Sequence, residues 1–555
     1  MTSVASVAKN KEETMRRVIF YLILIVLSLF LLGLQGNTAS LWGSPVESKT
    51  FNKNIASAPG NTLYVDVSQA DITVKPGKND KITAKAVVKV KNSDHRFLED
   101  FLGQSELILE PFEQGTRLKF KTPRYNINFR KLLKHGKSNL SVSIQIEIII
   151  PPRHSLNIEN EYGDITVEGI TGSMTIKNSS GKVDVRRCAG KLDLKNRYAN
   201  IAVLDFNGPA DIQNSSGEVS VENIGGDTTI HNSYRPVHFT KIDGKLTIKS
   251  QSSEVTGKNV KEDCDITTSY RNIDVSDIKG KLVIKGQSSG VSIVNVQKDA
   301  EVESSYRLIE IENIGGSLKV EAQSGTVEVK GVAGNAVIRT SYKKISIENV
   351  GGSLEIDGKS SIVSVKDIKG NADIVSSYNE ITAENIKGQL DVRTTSGPLN
   401  ITNIGKNVNL FSKYKPIQVK QVGGDLKIDG ASCSVMAEDI SGDVNVSNSY
   451  KYVILKKTKG SIIVNGNSSP IEVSEIKKMP ENGRIELKTS YKPITLDLPA
   501  SADVVISAYT TYGKIHSDFP LYLKKNNKED PVITEKKDGT FIRLETGGNI
   551  TIKKE

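Results

Sequence analysis

Apolar residues recur along residues 162–485 at fixed places in an 18-residue frame, and alternating tyrosine and serine mark that frame. The tyrosines are Tyr162, Tyr198, Tyr234, Tyr270, Tyr306, Tyr342, Tyr378, Tyr414 and Tyr450, 36 residues apart throughout. Midway between them stand Ser180, Ser216, Ser252, Ser288, Ser324, Ser360, Ser396, Ser432 and Ser468. With each Tyr or Ser as position zero, 18 coils run from Tyr162 to the coil opened by Ser468. Position +3 is apolar in all 18, and +5 and +8 in 17 each, with Gly257 and Thr458 the exceptions. Position +10 is Gly in 14 coils, and +14 is apolar in every coil but the last.

The pairs +3/+5 and +12/+14 have period two, so each pair lies on one face of a strand. Val, Ile and Thr dominate these places, as a pleated surface favours. Between the strands stand turns such as Asn313-Ile314-Gly315-Gly316 and Asn349-Val350-Gly351-Gly352. Asn tolerates left-handed backbone angles and Gly adopts them freely, so each motif predicts a turn with its aliphatic residue tucked inward. A lone coil buries too few side chains to offset the entropy of ordering it, so coils must stack. The fold class predicted is all-β: a single-stranded parallel β-helix, or β-solenoid, of 18 residues per coil in 36-residue pairs, with an N-terminal membrane helix. At about 4.8 Å per strand the coils make a rod of roughly 85 Å, and crossover preference favours a right-handed turn.

Two alternations define the pair. At +12 the Tyr coils carry Leu246, Leu282, Leu318, Leu354, Leu390 and Leu426, while Ser coils carry Cys264, Ala300, Ala336 and Ala372. At position zero, Tyr alternates with Ser. One reading makes the tyrosines a ribbon that grips a linear polymer. The other folds each ring over the corner, into space left by Ser and Gly above and below. Strict alternation with a small residue favours packing, so the ladder is read as structural. The residue after Tyr is then the better candidate for surface contact: Arg235, Arg271, Arg307, Lys343, Lys415, Lys451 and Lys492.

Outside the frame the organisation changes. Residues 18–34 carry no charge and follow Arg16-Arg17. They read either as a transmembrane signal-anchor or as a signal-peptide core. The length of the run and the poor small-residue cleavage site favour the anchor, with residues 1–17 as a cytoplasmic tail. Either way the body is exported. Residues 35–51 read as a linker, 52–150 as an N-terminal β region and cap, 151–484 as the regular solenoid and 485–555 as C-terminal β coils and cap. Asp94–Leu102 reads as a short helix. The frame breaks at Lys477–Arg484, and Tyr491 arrives five residues late. The irregular stretch 124–137 holds Arg130, Lys131 and Lys134 beside Tyr125 and Phe129. It is either a solvated loop or a contact for anionic lipid headgroups or wall polymer.

Lys and Arg exceed Asp and Glu by 74 − 64 = 10 in the 555 residues, an ordinary soluble surface that points to no nucleic acid. Cys188 and Cys264 fall at inward places four coils apart, beyond disulfide reach, and Cys433 sits at a corner. The 6 histidines are scattered. No metal, cofactor or catalytic constellation is expected, because solenoid enzymes build clefts from loops inserted between coils and the central coils have no insertion.

Three stretches carry a family resemblance: Ile148–Pro152 with Glu161–Val167, the coils ending in Ser179-Ser180-Gly181 or Thr395-Ser396-Gly397, and Leu498-Pro499 through Thr511–Ile515 to Arg543–Ile552. Over roughly residues 55–555 the chain resembles the bacterial "putative adhesin" family of β-strand-repeat proteins, largely of unknown function. The resemblance implies a β-helix outside the cytoplasmic membrane and brings no agreed catalytic residues. Together these readings give a membrane-anchored, extracytoplasmic, non-enzymatic adhesin-like or structural module at the cell surface or in the periplasm. Its expected partners are the membrane through residues 18–34, and anionic or carbohydrate envelope polymers or a membrane protein. The alternative is an accessory of an envelope-stress response acting through a membrane partner, and behind it a carbohydrate-active β-helix enzyme.

Overall fold

The computed structural model describes residues 46–91, 95–113, 115–123, 141–479, 483–523, 532–534 and 538–555. These divide into two compact units. The smaller holds residues up to 51, with 86–107 and 121–145. Its helix is His95–Gln104, close to the expected Asp94–Leu102. Lys49 Nζ donates to the Leu102 carbonyl at 2.8 Å, and Ser105 Oγ donates to the Phe101 carbonyl at 2.7 Å. The last third of the expected linker 35–51 is strand, which begins at Val46 and runs to Ala56. Side chains from Ser48 to Asn54 are nearly all exposed, so backbone pairing forms this strand without the apolar alternation that would betray it. Residues 18–34 lie outside the described residues, and among those described no helix is long and apolar enough to cross a membrane.

The larger unit is the parallel β-solenoid. Each coil contributes one strand to each of two sheets, and each strand pairs with the one 18 residues further on. Ile273 lies opposite Val291 and then Ile309 in one sheet, and Leu282 opposite Ala300 and then Leu318 in the other. Parallel sheets demand burial, which the apolar places supply. Ile273, Val275, Ile278, Leu282 and Ile284 are all buried, and the same five places are buried in coil after coil.

Position +7 makes the sharp bend that tucks +8 inward. Its residues hold left-handed backbone angles, for example Asn223 (φ 58°), Asp277 (58°), Asn313 (60°) and Asn403 (58°). Asn and Asp accept that region more readily than other side chains do.

The large-against-small rule at +12 holds in space: Leu282, Ala300, Leu318, Ala336, Leu354, Ala372 and Leu390 stack in that order. The exception at +5 follows the same logic. A Cβ on Gly257 would lie 2.4 Å from the ring of Phe239, the buried residue at +5 of the preceding coil.

Chain order and spatial order part company at both ends of the solenoid. The early strand Thr62–Asp66 sits between Gly115–Lys121 and Ser155–Glu159. The late strand Thr540–Thr546 sits between Arg484–Lys488 and Val504–Thr510. Residues 485–555 therefore do not continue coil by coil. The final strands are threaded inside the stack, and Val504–Thr510 follows them, paired antiparallel with Val532–Ile533. Thr62–Asp66 and Thr540–Thr546 thus each have a neighbour on both sides, and among the described residues the short strands Ile515–Ser517 and Tyr522–Leu523 each pair on one side only.

Candidate binding surface: an exposed tyrosine and cation ladder

The corner at position zero alternates in shape from coil to coil. In Ser coils the next residue points inward: Ser253, Ser289, Ser361, Cys433 and Ser469 are wholly buried. Space for them comes from a small residue at +16 of the preceding Tyr coil. A Cβ on Gly286 would lie 2.9 Å from Ser289 Cβ, and one on Gly466 would lie 3.1 Å from Ser469 Cβ. Where +16 is larger, the partner shrinks instead, as Thr394 faces Gly397. Ser coils then close on themselves. Thr268, Ser304, Thr340 and Ser376 at +16 donate hydroxyl hydrogen bonds to the carbonyls of Ser253, Ser289, Gly325 and Ser361 in the same coil, at 2.7–3.0 Å.

Tyr coils do the opposite, which corrects the packing reading of the ladder. The second large-against-small place is this inner corner, between +16 and +1, and the rings do not fill the space beside Ser. From Tyr162 (54 %) to Tyr342 (70 %), all nine ladder rings are more than half exposed, as are Tyr491 and Tyr512 beyond them. Four tyrosines hold left-handed angles: Tyr270 and Tyr306 at φ 69°, Tyr342 and Tyr450 at 67°. A bulky residue in that region is strained by about 1–2 kcal/mol. Neither burial nor backbone preference accounts for tyrosine there. Tyr306 Oη donates to Gln323 Oε1 at 2.7 Å on the surface.

The cations beside the rings are equally exposed. Arg235, Arg271, Arg307, Lys343, Lys415 and Lys451 all face solvent. Among the described residues none of the six is ion-paired. Cations on the sheet faces behave differently. Lys319 bonds Glu321 and Glu301 at 3.1 and 3.2 Å, which holds its pKa above the ordinary lysine value. Arg339 pairs with Glu355 at 2.9 Å. In the coil of Tyr378, Asn379 replaces the cation and donates to the Ser360 carbonyl. Beside Tyr270 and Tyr306 the surface sinks into a hollow of about 490 Å³ lined by Asn272, Gly290, Arg307, Leu308 and Glu310. Arg130, Lys131 and Lys134 lie outside the described residues.

Sequence reasoning missed an internal amide ladder. Asn160, Asn178, Asn196, Asn214 and Asn232 occupy +16 of consecutive coils and are all buried. Asn178 Nδ2 bridges the carbonyls of Gly163 and Gly181 at 3.0 and 3.1 Å, and Asn196 those of Gly181 and Ala199 at 2.9 and 3.0 Å. Their 18-residue spacing was the available signal, and it reads as polar surface until the corner is seen to fold inward.

A longer groove of about 1140 Å³ follows the +7 corner from Asn295 to Gly405. Several of its amides bond one another. Asn313 Nδ2 donates to Asn295 Oδ1 at 3.1 Å and Asn403 Nδ2 to Asn385 Oδ1 at 2.8 Å. This ladder spends its hydrogen bonds within the wall.

The remaining chemistry-bearing residues are dispersed. Cys188, Cys264 and Cys433 are free and buried, and burial pushes each thiol pKa up. His154 is buried with Nε2 2.8 Å from Ser57 Oγ. Among the described residues no group of three or more His, Cys, Asp or Glu could hold a metal ion.

Residues 61–252 match the Toastrack DUF4097 family. The match covers the first stretch of the resemblance and the opening coils of the second, while the third stretch, at 498–552, lies outside it. No curated protein matches the chain. Solved structures similar to it include the following two. One is titled a "putative cell adhesion protein" from Clostridium sporogenes, 10% identical, covering 45% of this chain and 99% of its own, with a TM-score of 0.17. The other is titled a "putative lipid binding protein" from Parabacteroides distasonis, 14% identical, covering 59% of this chain and 96% of its own, with a TM-score of 0.16.

Proposed function

We propose that this chain is a non-enzymatic binding module, anchored in the cytoplasmic membrane by residues 18–34, that holds a linear envelope polymer outside the cytoplasm along its tyrosine corner. One observation carries the reading: exposed rings repeat along one corner, and in six of the nine Tyr coils an exposed, unpaired cation follows the ring. Contiguous exposed aromatic surface is costly to leave in water and marks interaction sites. A cation without a partner keeps its full charge for a ligand. A polymer gains from such a corner because many weak contacts act together.

The test uses full-length protein in detergent micelles, mixed with purified envelope polymers and sedimented. Wild type should co-sediment. Tyr306→Ser/Tyr342→Ser and Arg271→Ser/Arg307→Ser/Lys343→Ser should lose most of the bound fraction while keeping the wild-type thermal midpoint. Unchanged co-sedimentation of both variants overturns the reading.

A further inference from the structure

Resting on that reading, we infer that the ligand is a β-1,4-linked polysaccharide carrying one anionic group per disaccharide. Position-zero residues of adjacent coils stack as neighbours, as the parallel bridge between Tyr162 and Ser180 shows. Rings therefore recur every second coil, at about 10 Å, twice the strand spacing. In an extended β-1,4-linked glycan each sugar is turned over relative to the last. The same face returns only every second sugar, at an interval close to that of the rings. Each ring then meets the apolar C–H face of one sugar, and the intervening sugar lies over a Ser coil.

The Ser coil is shaped for that place. Gly290, at +2 of the coil of Ser288, helps floor a hollow on the sheet face next to this corner, with Asn272, Arg307 and Leu308 on its wall and the carboxylates of Glu254, Asp274 and Glu310 along it. The amide, guanidinium and carboxylate groups there can meet sugar hydroxyls, and the anionic group of the ligand must sit toward Arg307, away from these carboxylates.

The cations carry the same period. Arg235, Arg271, Arg307, Lys343, Lys415 and Lys451 follow their tyrosines directly, so a positive charge accompanies six of the nine rings, while Gly163, Ala199 and Asn379 follow the other three. A neutral glycan would leave these charges unused. An anionic polymer lacking sugar faces would leave the rings unused. An acidic group on every second sugar uses both.

The test measures binding of full-length protein in detergent micelles to four probes. They are a β-1,4-linked strand of alternating N-acetylglucosamine and N-acetylmuramic acid freed of peptide, a neutral β-1,4-linked N-acetylglucosamine oligomer, a β-1,3-linked glucan and inorganic polyphosphate. The acidic β-1,4 strand should bind best and the neutral one more weakly, and salt should weaken only the first. Tyr306→Ser should weaken both by about two- to tenfold, the contribution of one aromatic contact. The deciding variant is Tyr306→Ser with Ser324→Tyr, which keeps the number of rings but moves one by a coil. It should bind as poorly as Tyr306→Ser alone. Wild-type affinity in this double variant, or preference for the β-1,3 glucan or polyphosphate, overturns the inference and leaves the polymer-binding reading standing. Binding to all probes that ignores the loss of rings and cations overturns both.

Discussion

In the coils of Tyr270, Tyr306, Tyr342 and Tyr450 the two bends make opposite use of the same backbone conformation. At +7 the left-handed residue is usually Asn or Asp, such as Asn313 at φ 60° or Asp277 at 58°. These side chains suit the angle, and several pass hydrogen bonds along the wall, as Asn295 Nδ2 does to Asp277 Oδ1 at 3.0 Å. At position zero Tyr270, Tyr306, Tyr342 and Tyr450 take nearly the same angle with rings left in water. The first bend is what folding alone would choose. The second carries a residue that folding would not choose, which separates the surface that builds the solenoid from the surface available to a partner. The comparison fails if the outer residue at position zero proves as important to stability as the inner residues around it.

The largest effect should come from inside that corner. Gly286→Thr brings side-chain atoms against Ser289, and overpacking of this kind costs about 1–3 kcal/mol. Adding Ser289→Gly should restore most of the loss, since the chain already uses that pairing at Thr394 and Gly397. Thermal denaturation of the single and double variants checks it. Two independent losses that add would mean that +16 and +1 do not share one space.

The +7 bend should respond next. Asn313→Val places a β-branched residue at a left-handed angle and removes the hydrogen bond to Asn295, for a loss of about 1–2 kcal/mol. Asn313→Gly, which accepts the angle, should lose less than half as much. Equal losses would assign the effect to the hydrogen bond alone.

Much of this was legible in the chain because the apolar frame is strict. Period-two pairs at fixed places in every coil leave no other fold, and the Leu/Ala alternation at +12 reads directly as stacking. What escaped shares one physical cause, in that a corner residue's direction depends on the backbone angle and not on its own polarity. Ser289 reads as surface and is buried, while Tyr306 reads as packing and is exposed. Asn178 and Asn196 are polar, yet they point inward to satisfy carbonyls. The interposed end strands escaped for a different reason. Alternation marks Thr540–Thr546 as a strand but says nothing about which neighbours it inserts between.

Acid offers a way to unsettle the fold without touching either bend. Burial lowers the pKa of His154 below the usual histidine value, outweighing the nearby Asp80 charge and a hydrogen bond involving Pro151. The unfolded chain then binds the proton more readily than the folded one as pH drops through the ordinary histidine range. The stability this group contributes is therefore complete above that range and is lost progressively as pH falls through it. Thermal midpoints measured from pH 7.5 to 5 should decline, and His154→Gln should flatten the decline even if it lowers the starting value. An unaltered slope in the variant would place the acid sensitivity elsewhere.

The smallest stability effect is expected where the functional effect is largest. Tyr306→Asn replaces a strained, exposed ring by a residue that accepts φ 69° more easily. The ring is 63 % exposed, so little buried area is lost, and relief of the left-handed strain returns up to about 1 kcal/mol. The thermal midpoint should stay level or rise, in contrast to the fall predicted for Asn313→Val at the other bend. Extending the change to Tyr270, Tyr342 and Tyr450 should add small gains of the same sign, because these sites are two or more coils apart. If the quadruple variant melts well below wild type, the rings stabilise the corner after all, and tyrosine at position zero needs no ligand to explain it. If it melts at or above wild type while polymer binding disappears, the strain at this corner is tolerated for the surface it presents.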